Sequence, residues 1–319
     1  MFSIQKKEEN GFRKIILTDN ISKTFAEIIP SCGAILHAFA ADNKGEFLNV
    51  VESYESAQDF KVNVTAKGFR GSKLSPFVCR LNRGSYHFGE KDYKIEKYYM
   101  GESAIHGILY DKDFKITGET SNELHASVSM KYEYKAEDAG YPFNYDCVIT
   151  WQLEKDNKLT VTTECINKDE GLIPMQDGWH PYFSLGDSID DLQLEFQSKE
   201  LVEFDEELLP TKNTIPYHDF NSLKKIGSTF LDNCFKLAMG DCQPLCVLRN
   251  PGAGIEVEIH PDQSYPYLQI YTPPHRRSIA IENLSGTPDA FNNGMGVTTL
   301  ESGESVLFKT AYKIKILNT

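Results

Sequence analysis

Hydrophobic and polar residues alternate with a period of two along most of this chain. In Ser127-Val-Ser-Met-Lys-Tyr-Glu-Tyr-Lys135, Val128, Met130, Tyr132 and Tyr134 fall on one side and polar groups on the other. That is the pattern of a strand with one dry and one wet face. Asp146-Cys-Val-Ile-Thr-Trp-Gln-Leu-Glu154 and Leu159-Thr-Val-Thr-Thr-Glu-Cys-Ile166 flank Asp156-Asn157 and predict two longer strands joined by a tight turn. Residues 85–95 alternate around Gly89 and predict a hairpin, and residues 254–260, 267–271 and 306–316 continue the theme. Helical periodicity is confined to residues 52–56 and 220–226, neither longer than about two turns. No Pro/Ser-rich linker, repeat or low-complexity segment interrupts the chain. The pattern predicts one all-β domain over residues 1–319, a large antiparallel β-sandwich.

Composition narrows the partners. Of 319 residues, 40% are hydrophobic, enough to bury a substantial core, and the net charge is −13. An acidic balance argues against a nucleic-acid phosphate track and against binding to anionic membranes, leaving a neutral small molecule as the most open partner class. The N-terminal residues lack the apolar core of a signal peptide, and no apolar run approaches the ~18 residues of a membrane span. Seven scattered cysteines without an export signal read as reduced thiols. The expectation is a cytoplasmic protein, monomer or homodimer, with no nucleic-acid or membrane partner.

Phosphate-binding loops, a Rossmann glycine fingerprint and a Gly-x-Ser-x-Gly elbow are missing, and the eight histidines do not fall at metal-ligand spacings. The sequence therefore predicts no metal and no cofactor, and chemistry by proton transfer. His180 lies in Asp177-Gly-Trp-His-Pro-Tyr-Phe-Ser184, among aromatic rings suited to the C–H faces of a sugar. Glu282 sits in the apolar stretch Ser278-Ile-Ala-Ile-Glu-Asn283. Together they would make an acid/base pair. Separately, His180 reads equally as a packed core histidine, and Glu282 as a strand-end carboxylate paired with Arg276 or Arg277. Arg83, in Asn82-Arg83, offers a rigid fork of donors for sugar hydroxyls, and His106, before Gly107, would lie at the same end of the sheets. Taken alone, Arg83 suits a structural ion pair, His106 a turn cap, Asp232 a turn and Gln269 a solvated strand position.

In order along the chain, Asn82-Arg83, His106-Gly107, His180-Pro-Tyr-Phe, Asp232-Asn-Cys-Phe, Glu282, Pro288-Asp-Ala-Phe-Asn292 and Leu300-Glu-Ser-Gly-Glu-Ser305 resemble the aldose 1-epimerases, the galactose mutarotases. The resemblance implies a galactose mutarotase-like supersandwich that interconverts the anomers of a free hexose. It makes Glu282 the general base and His180 the general acid, with Asn82, Arg83, His106, Asp232 and Gln269 holding sugar hydroxyls. Ser184 stands where such proteins commonly carry Asn, and His275-Arg276-Arg277 lies near Glu282 in sequence. A hexose-6-phosphate 1-epimerase and a non-catalytic carbohydrate-binding protein of the same fold remain as alternatives.

Overall fold

The computed structural model describes residues 1–240 and 242–317. Strands hold 52% of the residues and helices 6%, and the ladders are antiparallel, so the all-β expectation stands. A five-stranded sheet runs through the first fifty residues in sequence order. Two nine-stranded sheets form the body. One contains the long strands His125–Tyr134, Tyr145–Glu154, Lys158–Asn167 and Ser305–Ile316. The other contains Asp232–Leu237, Tyr267–Tyr271, Ile279–Leu284, Gly178–His180 and Ser72–Leu74, side by side in that order.

The alternating residues of the long strands do what their period requires. Val128, Met130, Ile149, Trp151, Leu153, Leu159 and Val161 are all buried. Trp151 meets Trp179 of the facing sheet edge-on at 5.2 Å, and Phe183 meets Tyr312 at 5.6 Å. Burying rings of this size is the main stabilising term, about 25 cal/mol per Å² of apolar surface removed from water. Between Tyr145–Glu154 and Lys158–Asn167, Asp156 (φ 60°) and Asn157 (φ 54°) are both left-handed, the geometry of a tight hairpin turn that Asp and Asn tolerate. Residues 85–95 form the expected hairpin, Phe88 opposite Lys91.

The helical expectations need correction. Ser56 is not inside a helix but caps one: its hydroxyl accepts the amide of Asp59, and the helix is Ala57–Asn63. Residues 220–226 contain no helix; Lys224–Lys225 is a short strand at the edge of a nine-stranded sheet. The apolar residues Phe220 and Ile226 are buried from loop positions instead. No helix among the described residues is long and apolar enough to cross a membrane.

Candidate active site

Register decides which side chains meet. Cys234 lies opposite Gln269, and Gln269 opposite Glu282. Cross-strand partners share a face, and Asp232, two residues before Cys234, joins them. The alternate residues Ile281 and Asn283 turn the other way, where Asn283 accepts a hydrogen bond from Thr310 Oγ1 of the facing sheet (2.9 Å). Trp179 pairs with Asn283, so alternation sends Trp179 to the core and His180 to the Glu282 face. Pro181, lacking an N–H, follows at once.

A second wall comes from the short strands Arg80–Leu81 and Ser103–Ile105, with Ile105 opposite Arg80. The next residue, His106, is left-handed (φ 61°) and its amide donates to the Cys79 carbonyl (2.9 Å). Gly107 is also left-handed, and a Cβ there would sit 2.3 Å from the Ser75 carbonyl oxygen, so only glycine permits the turn. The turn lays the His106 ring edge-on to His180 (4.7 Å) and to Phe69 (4.8 Å). The result is a pocket of about 280 Å³ whose lining includes Phe69, Arg80, His106, His180, Asp232 and Glu282. A larger cleft of about 460 Å³ lies over residues 6–8, 13–15 and 113–116. Its polar side chains are lysine, arginine, serine and carboxylates, with no group suited to proton transfer near neutral pH.

In the pocket lining, His180 Nε2 is 3.3 Å from Glu282 Oε1, and both residues are almost fully buried. The His180 ring stacks parallel on Tyr182 at 5.2 Å. Burial pushes His180 down to about 3 and Glu282 well above the usual carboxylate range, the latter helped by the charge of Asp232. Both shifts have one cause: a dry pocket resists net charge. An ionised Glu282 at 3.3 Å would in turn favour imidazolium. The pair is therefore best described as holding one proton, in either a neutral or a zwitterionic arrangement. Burial also lowers His106 well below its ordinary value, keeping it neutral, and raises Asp232. Gln269 Nε2 donates to Asp232 Oδ1 (2.9 Å), and its Oε1, like His106 Nδ1, is buried without a partner. Buried polar atoms left in this way are expected where a ligand completes them.

Of the residues singled out from sequence, His106, His180, Asp232, Gln269 and Glu282 line one pocket. Asn82 and Arg83 do not. Arg83 is left-handed (φ 51°), with its side chain 69% exposed and 3.9 Å from Glu102. Asn82, outside the pocket lining, donates its amide to Asp289 Oδ1. The arginine in the pocket is Arg80, three residues earlier, with no ion-pair partner within 4 Å among the described residues. It stands in the apolar run Phe77-Val-Cys-Arg-Leu81, whereas Arg83 stands in an Asn-Arg-Gly turn. The segment Pro288-Asp-Ala-Phe-Asn292 has a traceable purpose: the Asp289 amide donates to the Arg80 carbonyl, and its carboxylate takes the Asn82 amide and Asn292 Nδ2. Cys79, whose thiol donates to Glu282 Oε2 at 3.7 Å, and Tyr271 were not anticipated.

The protein is thus a large antiparallel sandwich carrying a pocket in which a buried imidazole and a buried carboxylate are in contact. The aldose 1-epimerase family model matches residues 14–313, and the chain belongs to that family. It is 27% identical over 243 residues to the Escherichia coli (strain K12) protein YihR, covering 73% of this chain and 75% of YihR. It is 22% identical to an aldose 1-epimerase of Streptococcus thermophilus, covering 97% and 96% of the two chains. A galactose mutarotase-like protein from Clostridium acetobutylicum superposes with a TM-score of 0.86 at 17% identity, over 99% of each chain.

Proposed function

We propose that this protein interconverts the α and β anomers of a free hexose by opening and reclosing the sugar ring. The observation that carries the reading is the 3.3 Å contact between His180 Nε2 and Glu282 Oε1 inside the pocket. In the reactive arrangement Glu282 is a carboxylate and His180 an imidazolium. Glu282 removes the proton from the C1 hydroxyl while His180 delivers one to the ring oxygen. The C1–O5 bond breaks and the aldehyde forms. Rotation about C1–C2 presents the other carbonyl face, and both proton transfers reverse. The proton count of the pair never changes: one proton sits on His180 before opening and one on Glu282 after it. The open-chain state thus matches the neutral pair that burial favours, which lowers the cost of ring opening. Arg80 supplies a forked donor, Asp232 and the free Gln269 Oε1 supply acceptors, and neutral His106 can serve as either.

A neutral sugar fits better than a phosphorylated one. Arg276 is held by Asp190, with Nη1 and Nη2 donating to the carbonyls of Thr229 and Gly227. None of His275, Arg276 and Arg277 is part of the pocket lining, which holds one arginine beside two carboxylates. Polarimetry with α-galactose, α-glucose and their 6-phosphates tests this: the free hexoses should reach equilibrium faster in the presence of enzyme. Acceleration confined to the phosphates would reverse the substrate assignment, and acceleration of none would indicate a non-catalytic binder. A second expectation separates the two arginines. Arg80→Met should lower kcat/KM on the order of 10–100-fold, since a hydrogen bond to a charged group contributes about 1.5–3 kcal/mol, while Arg83→Met leaves it unchanged. The opposite ranking would restore Arg83 as the substrate ligand.

A further inference from the structure

Cys79, His106 and Glu282 each offer a donor atom, and the three atoms lie within 4.8 Å of one another in a buried cluster. Ring opening as derived above uses no thiol, yet Cys79 Sγ is 3.7 Å from the proposed base. His106 Nδ1 has no partner, although the residue is more than nine-tenths buried. We propose that Cys79, His106 and Glu282 form a binding site for a thiophilic divalent cation, Zn²⁺ being the type, which occupies the pocket in competition with the sugar.

The donor set selects the ion. A thiolate, an imidazole and a carboxylate suit Zn²⁺ or Cd²⁺, whereas Mg²⁺ and Ca²⁺ take oxygen ligands. Bonds of roughly 2.0–2.3 Å in a tetrahedron place donors roughly 3.3–3.6 Å apart, so the Cys79–Glu282 pair at 3.7 Å is already close and the widest separation must shorten by about 1 Å. Three protein ligands leave the fourth position open to the pocket. Charge also balances: a dication with one thiolate, one carboxylate and a neutral imidazole is net neutral, which a dry site accepts. Binding sends the thiol proton, and any proton on the His180–Glu282 pair, to solvent. Arg80 faces the cluster and opposes the cation, while Asp232 favours it. His106 is already held neutral by burial, as a metal ligand must be.

The inference rests on the proposed function only for its consequence, loss of the base to the metal, so binding is measured separately from turnover. Purified enzyme titrated with Cd²⁺ should develop a thiolate-to-metal charge-transfer absorption saturating at one ion per chain. The band should vanish in Cys79→Ser and persist in Cys242→Ser, which removes the one exposed cysteine. Galactose should displace the ion, and Zn²⁺ should inhibit mutarotation competitively with sugar. Glu282→Gln should weaken Cd²⁺ binding by at least the roughly 10–100-fold that losing an outer-shell partner costs. A band that survives in Cys79→Ser, or is lost only in Cys242→Ser, overturns the site. If Cys79→Ser fails to fold, absence of galactose displacement from the wild-type protein does the same. Mutarotation without a band would sink the metal site and leave the catalytic reading intact, and a band without mutarotation would do the reverse.

Discussion

Glu282→Gln should lower kcat by about 10²–10⁴-fold, the span that removing a positioned acid or base covers, and should at the same time make the ligand-free protein more stable at neutral pH. The amide is close in shape to the carboxyl but cannot accept the C1 proton. Its stabilising effect follows from linkage. The folded-state pKa of Glu282 is raised above its unfolded value by burial and by Asp232. Between the two values the folded chain binds more proton than the unfolded one, so wild-type stability declines as pH rises through that window. Gln cannot ionise, and its advantage should grow from about pH 4.5 upward. Urea titrations of both proteins at several pH values would show it; a variant that is less stable than wild type throughout would contradict a buried, raised Glu282. His180→Ala should lose activity comparably, and the double variant should be little worse than either single one, because the two groups act as a unit. Wild-type kcat/KM should follow a broad bell. The acid limb lies low, where His180, pushed down to about 3 by burial, gives the pair its second proton. The alkaline limb lies above the ordinary carboxylate range, where the pair loses its only proton.

The parts of this site that sequence could expose were those set by period and by apolar context. Glu282 stands out because an acid between Ile281 and Asn283 in a strand of buried residues has no wet face to occupy. His180 stands out for the aromatic residues around it, and the two side chains line one pocket. Local sequence does not reveal which of two arginines three residues apart, Arg80 and Arg83, belongs to a two-residue strand and which to a turn. Pairing with Ser103–Ile105 and the clasp from Asp289 settle that, and both are long-range contacts. Cys79 was invisible for a related reason: its thiol gains meaning only from Glu282, 203 positions away. The helix at Ala57–Asn63 begins just after the residues 52–56 that the pattern marks, because the Ser56 hydroxyl serves as its N-cap rather than as an interior position. The long strands were legible because period-2 patterning survives over ten residues, whereas their order in the sheets is set by packing that no single segment encodes.

Replacing Lys73 by Ala should cost about 3–5 kcal/mol of folding stability, the usual result of removing one partner from a buried ion pair. Lys73 and Asp177 are both fully inaccessible to solvent and paired with each other. Lys73 Nζ also donates to the Gly178 carbonyl (3.1 Å) and sits 4.4 Å over the Trp179 ring, while Tyr265 donates to Asp177 Oδ1 (2.6 Å). The Asp177 amide in turn donates to Ser285 Oγ (2.9 Å). These contacts tie Ser72–Leu74, Gly178–His180 and the end of Ile279–Leu284, the strands that hold His180 and Glu282 in contact. Without the ammonium, Asp177 is left as an unpaired acid in an apolar layer. Burial already raises it against the opposing pull of Lys73, so it must take a proton or bring in water. Lys73→Met with Asp177→Leu removes both charges and should cost less than either single change, apart from about 1–3 kcal/mol for the stranded Tyr265 hydroxyl. Urea denaturation of the two single variants and the double gives the coupling directly. A Lys73→Ala cost under about 1 kcal/mol would place the pair among the weak, solvated bridges. A double variant as unstable as the sum of the singles would mean that the network acts through shape rather than charge.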